Sequence, residues 1–153
     1  MELLNVTTEE HVSLARQLLE EYAASLDYEL CFQNFSAELA QLPGEYSPPS
    51  GGLLLAYHDG EAVGCVALRR LGEEVCEMKR LYVRPGFRGS GIGIALAGAA
   101  ISLARRTGYR RMRLDTVGSM HKAQMIYESL GFTDTKGCGC HQGEGVRCME
   151  LAL

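Results

Sequence analysis

Glu77-Met78-Lys79-Arg80-Leu81-Tyr82-Val83-Arg84-Pro85-Gly86-Phe87-Arg88-Gly89-Ser90-Gly91-Ile92-Gly93 is the stretch from which the rest of the chain can be read. Val75 to Val83 reads as a strand, and Pro85-Gly86 ends it. Arg88 to Gly93 then forms a glycine-rich turn, and an apolar helix begins near Ile92. That helix closes at Arg105-Arg106-Thr107-Gly108, with bases in the last turn and glycine just beyond it. Amides without side chains can approach an anion in such a turn, and a helix N-terminus adds about half a positive charge. Two familiar phosphate loops do not fit. The dinucleotide fingerprint needs glycine where Ile94 stands, and the P-loop needs lysine where Ile92 stands. The turn alone leaves two readings open, an anion cradle and a tight turn without a ligand.

Elements on either side complete the pattern. Glu2 to Val6 is a short strand candidate. Thr7-Thr8-Glu9-Glu10 reads as a capping box, with Thr7 as N-cap and Glu10 at the third helical position. Ala15, Leu18, Leu19, Tyr22 and Leu26 follow at helical spacing. A second helix is expected from Ser36 to Leu42, stopped by Pro43-Gly44. Leu53–Tyr57 and Ala62–Leu68 flank His58-Asp59-Gly60-Glu61, a strong hairpin signal. With Val75–Val83 they make an antiparallel meander. Arg111–Thr116 alternates as a strand, Met120–Leu130 as a helix ended by Gly131, and Phe132–Gly137 and Val146–Leu153 as closing strands. The order β-α-α-β-β-β-α-β-α-β-β specifies an α/β (α+β) protein: a mixed, mostly antiparallel sheet flanked by helices. Residues 1–153 are expected to form one domain.

The 153 residues are 46% hydrophobic and 22% charged, ordinary for a globular protein. The net charge of −4 argues against a general nucleic-acid binder. It divides unevenly: residues 1–64 carry eleven acids and one base, and residues 65–153 fourteen bases and eight acids. This suggests an acidic side for a cationic acceptor and an arginine-rich side for something phosphorylated. The apolar stretch 92–104 is shorter than the roughly 20 residues a bilayer needs, so no membrane partner is expected. The N-terminus shows no signal peptide. The six cysteines (Cys31, Cys65, Cys76, Cys138, Cys140, Cys148) are therefore expected to be reduced, in a cytoplasmic protein.

Arg88, Gly91 and Gly93 match the Arg/Gln-x-x-Gly-x-Gly/Ala signature of the Gcn5-related N-acetyltransferase (GNAT) superfamily, placed after a strand as in that family. Ala123-Gln124-Met125-Ile126-Tyr127-Glu128-Ser129-Leu130-Gly131-Phe132 resembles its Ala-x-x-x-Tyr-x-x-x-Gly-Phe pattern. The strand order agrees, so the resemblance spans essentially the whole chain. It implies the GNAT acyl-CoA N-acyltransferase fold and an enzyme that takes acetyl-CoA as donor. Arg88, Gly89, Ser90, Gly91, Ile92 and Gly93 would cradle the pyrophosphate of coenzyme A. Leu81 and Val83 would flank its pantetheine where the strand splays from its neighbour. Tyr127 would donate to the departing thiolate. Glu77 stands where several family members carry a catalytic Glu, and it or a water chain would take the proton of the amine. Strict period two places Glu77 on the same strand face as Leu81. Met120 stands where the family often has Asn, a departure that removes one expected pantetheine contact.

In this family the N-terminal helices and their connection hold the acceptor. Here they offer Tyr22, Asp27, Tyr28, Glu29, Phe32 and Phe35, and carboxylates among aromatics suit a small cationic amine. Tyr28, Glu29 and Phe32 are the acceptor candidates. A peptide amine would be satisfied similarly, and a coenzyme A-binding module without catalysis is the competing class. Homodimers are common in the family. Cys76 reads as an inert buried thiol. Cys138-Gly139-Cys140-His141 offers only half of a zinc site, so no metal is expected.

Overall fold

The glycine turn joins a strand to a helix packed on the strand's own sheet, and everything else is arranged around that unit. The computed structural model describes residues 1–26, 32–117, 121–136 and 146–153. Seven strands form one mixed sheet. They are β1 (Glu2–Asn5), β2 (Gly52–His58), β3 (Glu61–Arg70), β4 (Val75–Val83), β5 (Arg111–Val117), β6 (Thr133–Asp134) and β7 (Val146–Ala152). Their spatial order is β1-β2-β3-β4-β5-β7-β6, antiparallel throughout except for the β4–β5 pair. The helices are α1 (Glu9–Ser25), α2 (Phe32–Gln41), α3 (Ile92–Thr107) and α4 (His121–Ser129). Short 3-10 turns at Gly44–Tyr46 and Pro85–Phe87 complete the expected order.

Local chemistry explains most boundaries. Asp59 and Gly60 have φ of 50° and 80°, the two positive values that a tight two-residue hairpin turn requires. Gly108 ends α3 at φ 105°, its amide reaching Ala104 O and Arg105 O. The α1 cap lies one residue later than expected. Thr8, not Thr7, accepts from the His11 amide at 3.1 Å, and the Thr7 amide donates to His11 Nδ1 at 3.1 Å. The imidazole thus does what the Glu10 carboxylate was expected to do. Helix α2 begins at Phe32, before the expected Ser36, since burying Phe35 outweighs the capping preference of Ser36.

Each face of the sheet has its own core. Leu96, Ala97, Ala100 and Ile101 of α3 pack on Val66, Leu68, Met78 and Met112. Leu18, Leu19 and Tyr22 of α1 and Phe35 of α2 pack on Leu55, Cys65, Ala67 and Tyr82.

A bulge in β4 breaks the expected alternation. Cys65 pairs with Tyr82 but Ala67 pairs with Lys79, so Arg80 and Leu81 together oppose Val66. Arg80 takes φ 60°, the left-handed region, to absorb the extra residue. Glu77 and Leu81 therefore do not share a face. Leu81 packs with Met78 and Val83 on the α3 side, and Glu77 meets Arg69 on the α1/α2 side.

Cys65 and Cys76 are buried free thiols, but Cys148 is disulfide-bonded, with its partner outside the described residues. The expectation of six reduced cysteines fails there, because spacing alone does not say which sulfurs meet. Persistent disulfides are uncommon in a reducing cytosol, so the cysteines no longer argue for that compartment. Among the described residues no helix is long and apolar enough to cross a membrane.

Candidate active site

The β4–β5 ladder has three rungs, Val75 to Arg111, Cys76 to Met112 and Glu77 to Arg113. Beyond them β4 continues beside β3 to Val83, and β5 continues beside β7 to Val117. A gap opens in the sheet, with Glu77 and Arg113 at its apex. Leu81 and Val83 lie on its β4 wall, where both pack against the α3-side core. Thr116 lies on its β5 wall, in phase with the buried Met112 and Leu114. Thr116 is 5% exposed and its hydroxyl has no hydrogen-bond partner among the described residues. Leaving such a group unmet costs about 1–3 kcal/mol. A polar chain lying in the gap would meet it, so the gap fits an amide-bearing ligand such as pantetheine.

The glycine turn stands at the open end of β4. Gly89 and Gly91 have φ of 83° and 87°, and a Cβ on either would meet no atom within 4 Å. Glycine is needed there for the backbone, and the space beside it is open. The first backbone bond of α3 runs from the Ala95 amide to Gly91 O at 3.1 Å, so the amides before it face out of the helix end. Ser90 Oγ donates to Phe87 O at 2.6 Å and folds the turn. The Arg88 guanidinium reaches back, donating to Val83 O at 2.8 Å and stacking 5.8 Å from the Tyr82 ring. Gly93 also serves packing. A Cβ there would lie 3.2 Å from Ile126 Cδ1, so glycine lets α4 close on α3.

The α1/α2 face carries a charge network. Arg69 Nε donates to Glu77 Oε1 at 2.7 Å, and Arg69 NH1 meets Glu45 Oε2 at 3.1 Å. Glu77 is 5% exposed, and its Oε2 has no hydrogen bond among the described residues. Lys79 Nζ is 4.0 Å from Glu77 Oε1. Burial, reinforced by Arg80, holds the Lys79 ammonium below the usual lysine range, against the opposing pull of Glu77. Arg80 holds Glu38 of α2 with two bonds, at 2.9 and 3.0 Å, and covers the Phe35 ring at 5.1 Å. Burial alone would lower the Arg80 guanidinium, but Glu38 more than offsets it and the net shift is upward. Burial, then the Glu38 charge, push the Tyr46 phenol far above its usual range, so it remains a donor to Glu38.

Glu77 is thus a strand carboxylate tied to an arginine, with one oxygen left over. Tyr127 is buried on α4 in the α3-side core, edge-on to Phe132 at 5.9 Å. Glu77 and Tyr127 belong to opposite faces of the sheet, and the gap between β4 and β5 joins those faces. Tyr22 and Phe35 are core residues, at 8% exposure each. Asp27, Tyr28, Glu29, Cys31, Met120, Cys138, Cys140 and His141 lie outside the described residues, as does the side chain of Phe32. Among the described residues no cluster of His, Cys, Asp or Glu is arranged to hold a metal. Burial pushes the Cys76 thiol from 9.0 up to about 12, which fits the inert role expected of it. Sequence reasoning missed Arg80, Lys79 and Thr116. Two adjacent charges in a buried strand signal a bulge, and Thr116 is a polar residue in an apolar phase.

A mixed sheet that parts beside a glycine turn, with the turn feeding a buried helix, defines a protein built to hold an extended anionic ligand across its sheet. Comparison with known proteins gives the family. The acetyltransferase (GNAT) family matches residues 13–132. An uncharacterized N-acetyltransferase of Schizosaccharomyces pombe is 41% identical over 123 residues, 79% of this chain and 76% of that protein. The crystal structure of a putative acyl-CoA N-acyltransferase from Klebsiella pneumoniae superposes with a TM-score of 0.73 at 28% identity, covering 99% of this chain and 97% of that one. The fold is also that of yncA from Salmonella typhimurium, solved with acetyl-CoA, at TM-score 0.68 and 20% identity over 98% of this chain and 93% of that one. The chain belongs to the acetyltransferase (GNAT) family and is an acetyltransferase.

Proposed function

We propose that residues 1–153 act as one domain that transfers an acetyl group from acetyl-CoA to a primary amine of a small molecule, by direct attack in a ternary complex. The observation that carries this is the parting of β4 from β5 after the Glu77–Arg113 rung, next to an open helix N-terminus. The backbone amides from Arg88 to Gly93 bind the pyrophosphate, with Arg88 bracing the turn against β4. Leu81, Val83 and the Thr116 hydroxyl flank the pantetheine. Acetyl-CoA supplies an acyl group already activated as a thioester. An alkyl amine near pKa 10 is mostly protonated at neutral pH, so its proton must leave before attack. Glu77 Oε2 accepts that proton, directly or through water. Strand amides near Leu81 stabilise the charge that develops on the carbonyl oxygen as the C–N bond forms. The Tyr127 hydroxyl donates to the sulfur as the C–S bond breaks.

The test is Tyr127→Phe, measured by thiol release and by titration with coenzyme A. Turnover should fall by roughly 10²–10⁴-fold, the range for a lost proton donor, with coenzyme A affinity nearly intact. Unchanged turnover would remove Tyr127 from the reaction. Coenzyme A binding with no transfer to any amine would favour a non-catalytic module.

A further inference from the structure

The acidic residues of the α1/α2 face were expected to attract a cationic acceptor, yet among the described residues Glu21, Glu38 and Glu45 are each held by an arginine. Glu38 is held twice by Arg80, at 2.9 and 3.0 Å. Glu21 is held twice by Arg84, at 2.9 and 2.7 Å. Glu45 reaches Arg69 at 3.1 Å and is otherwise turned to solvent. On the inner part of this face a carboxylate oxygen and an ammonium make no hydrogen bond to each other or to another described residue. One is Glu77 Oε2, an anionic acceptor on a carboxylate whose side chain is 7% exposed. The other is the Lys79 ammonium, 19% exposed, which lies 4.0 Å from Glu77 Oε1, beyond hydrogen-bond reach. An ammonium carries three donors that a ligand carboxylate can meet. Both groups project from β4 on the same face, two residues apart, at and just beyond the apex of the gap. One spare anion beside one spare cation is complementary to a molecule with an amine next to a carboxylate.

We infer that Glu77 and Lys79 form a subsite for a zwitterionic acceptor, an α-amino acid or a close analogue, with the amine on Glu77 Oε2 and the carboxylate on Lys79 Nζ. The inference rests on the acetyltransferase reading above and names its substrate class. Arg69 has a supporting part: it occupies Glu77 Oε1 and so leaves Oε2 as the oxygen that faces the amine. Lys79 acts in specificity and takes no part in making or breaking bonds. The arrangement disfavours a peptide N-terminus, which presents an amide where the subsite offers an ammonium. It also disfavours a polyamine, whose second cation would meet Lys79.

Steady-state kinetics on matched acceptors tests this: L-alanine, L-alaninamide and ethylamine, followed by the same trio built on a larger side chain. The amino acid should exceed its amide and decarboxylated amine in kcat/KM by about tenfold or more, as expected for one hydrogen bond to a charged group. In Lys79→Met that ratio should fall towards one, and in Lys79→Arg it should be largely retained. Coenzyme A affinity and thermal melting of both variants check that each is folded. Equal or better use of the amide or the amine overturns the inference while leaving the acetyltransferase reading intact. A ratio unchanged in Lys79→Met also overturns it. Coenzyme A binding without transfer to any member of either trio overturns both.

Discussion

At the scale of single residues, the most informative position is one whose chemistry is incomplete. Thr116 sits in a strand phase otherwise filled by Met112 and Leu114, and its hydroxyl is buried without a partner among the described residues. A valine of nearly the same shape would remove that unmet group. Replacing an unsatisfied buried hydroxyl by a methyl group is neutral or stabilising, whereas losing a ligand contact is not. Thr116→Val should therefore melt at the same temperature or higher, and should bind coenzyme A about tenfold more weakly by calorimetry. A variant that loses stability and keeps its affinity would show that Thr116 is ordinary core. The Cys65 thiol, by contrast, is fully accounted for: burial pushes it up to about 12, and its hydrogen-bond acceptor is Arg80 O at 3.4 Å.

At the scale of elements, the glycine turn, α3 and the β2–β4 meander were legible in the sequence, because Gly, Pro and strict periodicity carry local instructions. Val75–Val83 was legible to the residue. The β4 bulge was not, since it answers to a partner far away in sequence. Arg80 leaves the alternation to reach Glu38 on α2, and that pair clamps α2 onto β4. Its side chains are 9% and 16% exposed. Removing one member of a buried pair leaves the other charge uncompensated, at a cost of about 3–5 kcal/mol. Glu38→Gln should therefore lower stability by about that amount in urea melts. Exchanging both for apolar residues, Glu38→Leu with Arg80→Met, should recover most of the loss. If Glu38→Gln changes stability by less than about 1 kcal/mol, the clamp is only a surface contact.

At the scale of the whole molecule, the uneven charge of the chain has a different meaning from the one its arithmetic suggested. Three acids of the first half pair with arginines of the second on one face of the sheet: Glu21 to Arg84 at 2.7 Å, Glu38 to Arg80 at 2.9 Å and Glu45 to Arg69 at 3.1 Å. The division closes the N-terminal helices onto β3 and β4 more than it separates an acceptor side from a donor side. No count of charges shows this, because pairing depends on which strands become neighbours. The same strands also serve both cores. Leu54 faces one core and Leu55 the other; Val66 and Ala67 divide in the same way. Neither face can lose its helices without exposing strands that the other face needs. Unfolding should therefore be a single transition by calorimetry, the same by far-ultraviolet dichroism and by tyrosine fluorescence. Leu18 and Leu96, at 1% and 0% exposure on opposite faces, supply the test. Leu18→Ala and Leu96→Ala should each cost about 2–5 kcal/mol. Each kcal/mol should lower the shared melting temperature by roughly 2–4 °C, without splitting the transition. Two resolved transitions, with each variant moving only one, would mean that the faces unfold separately and that the sheet does not couple them.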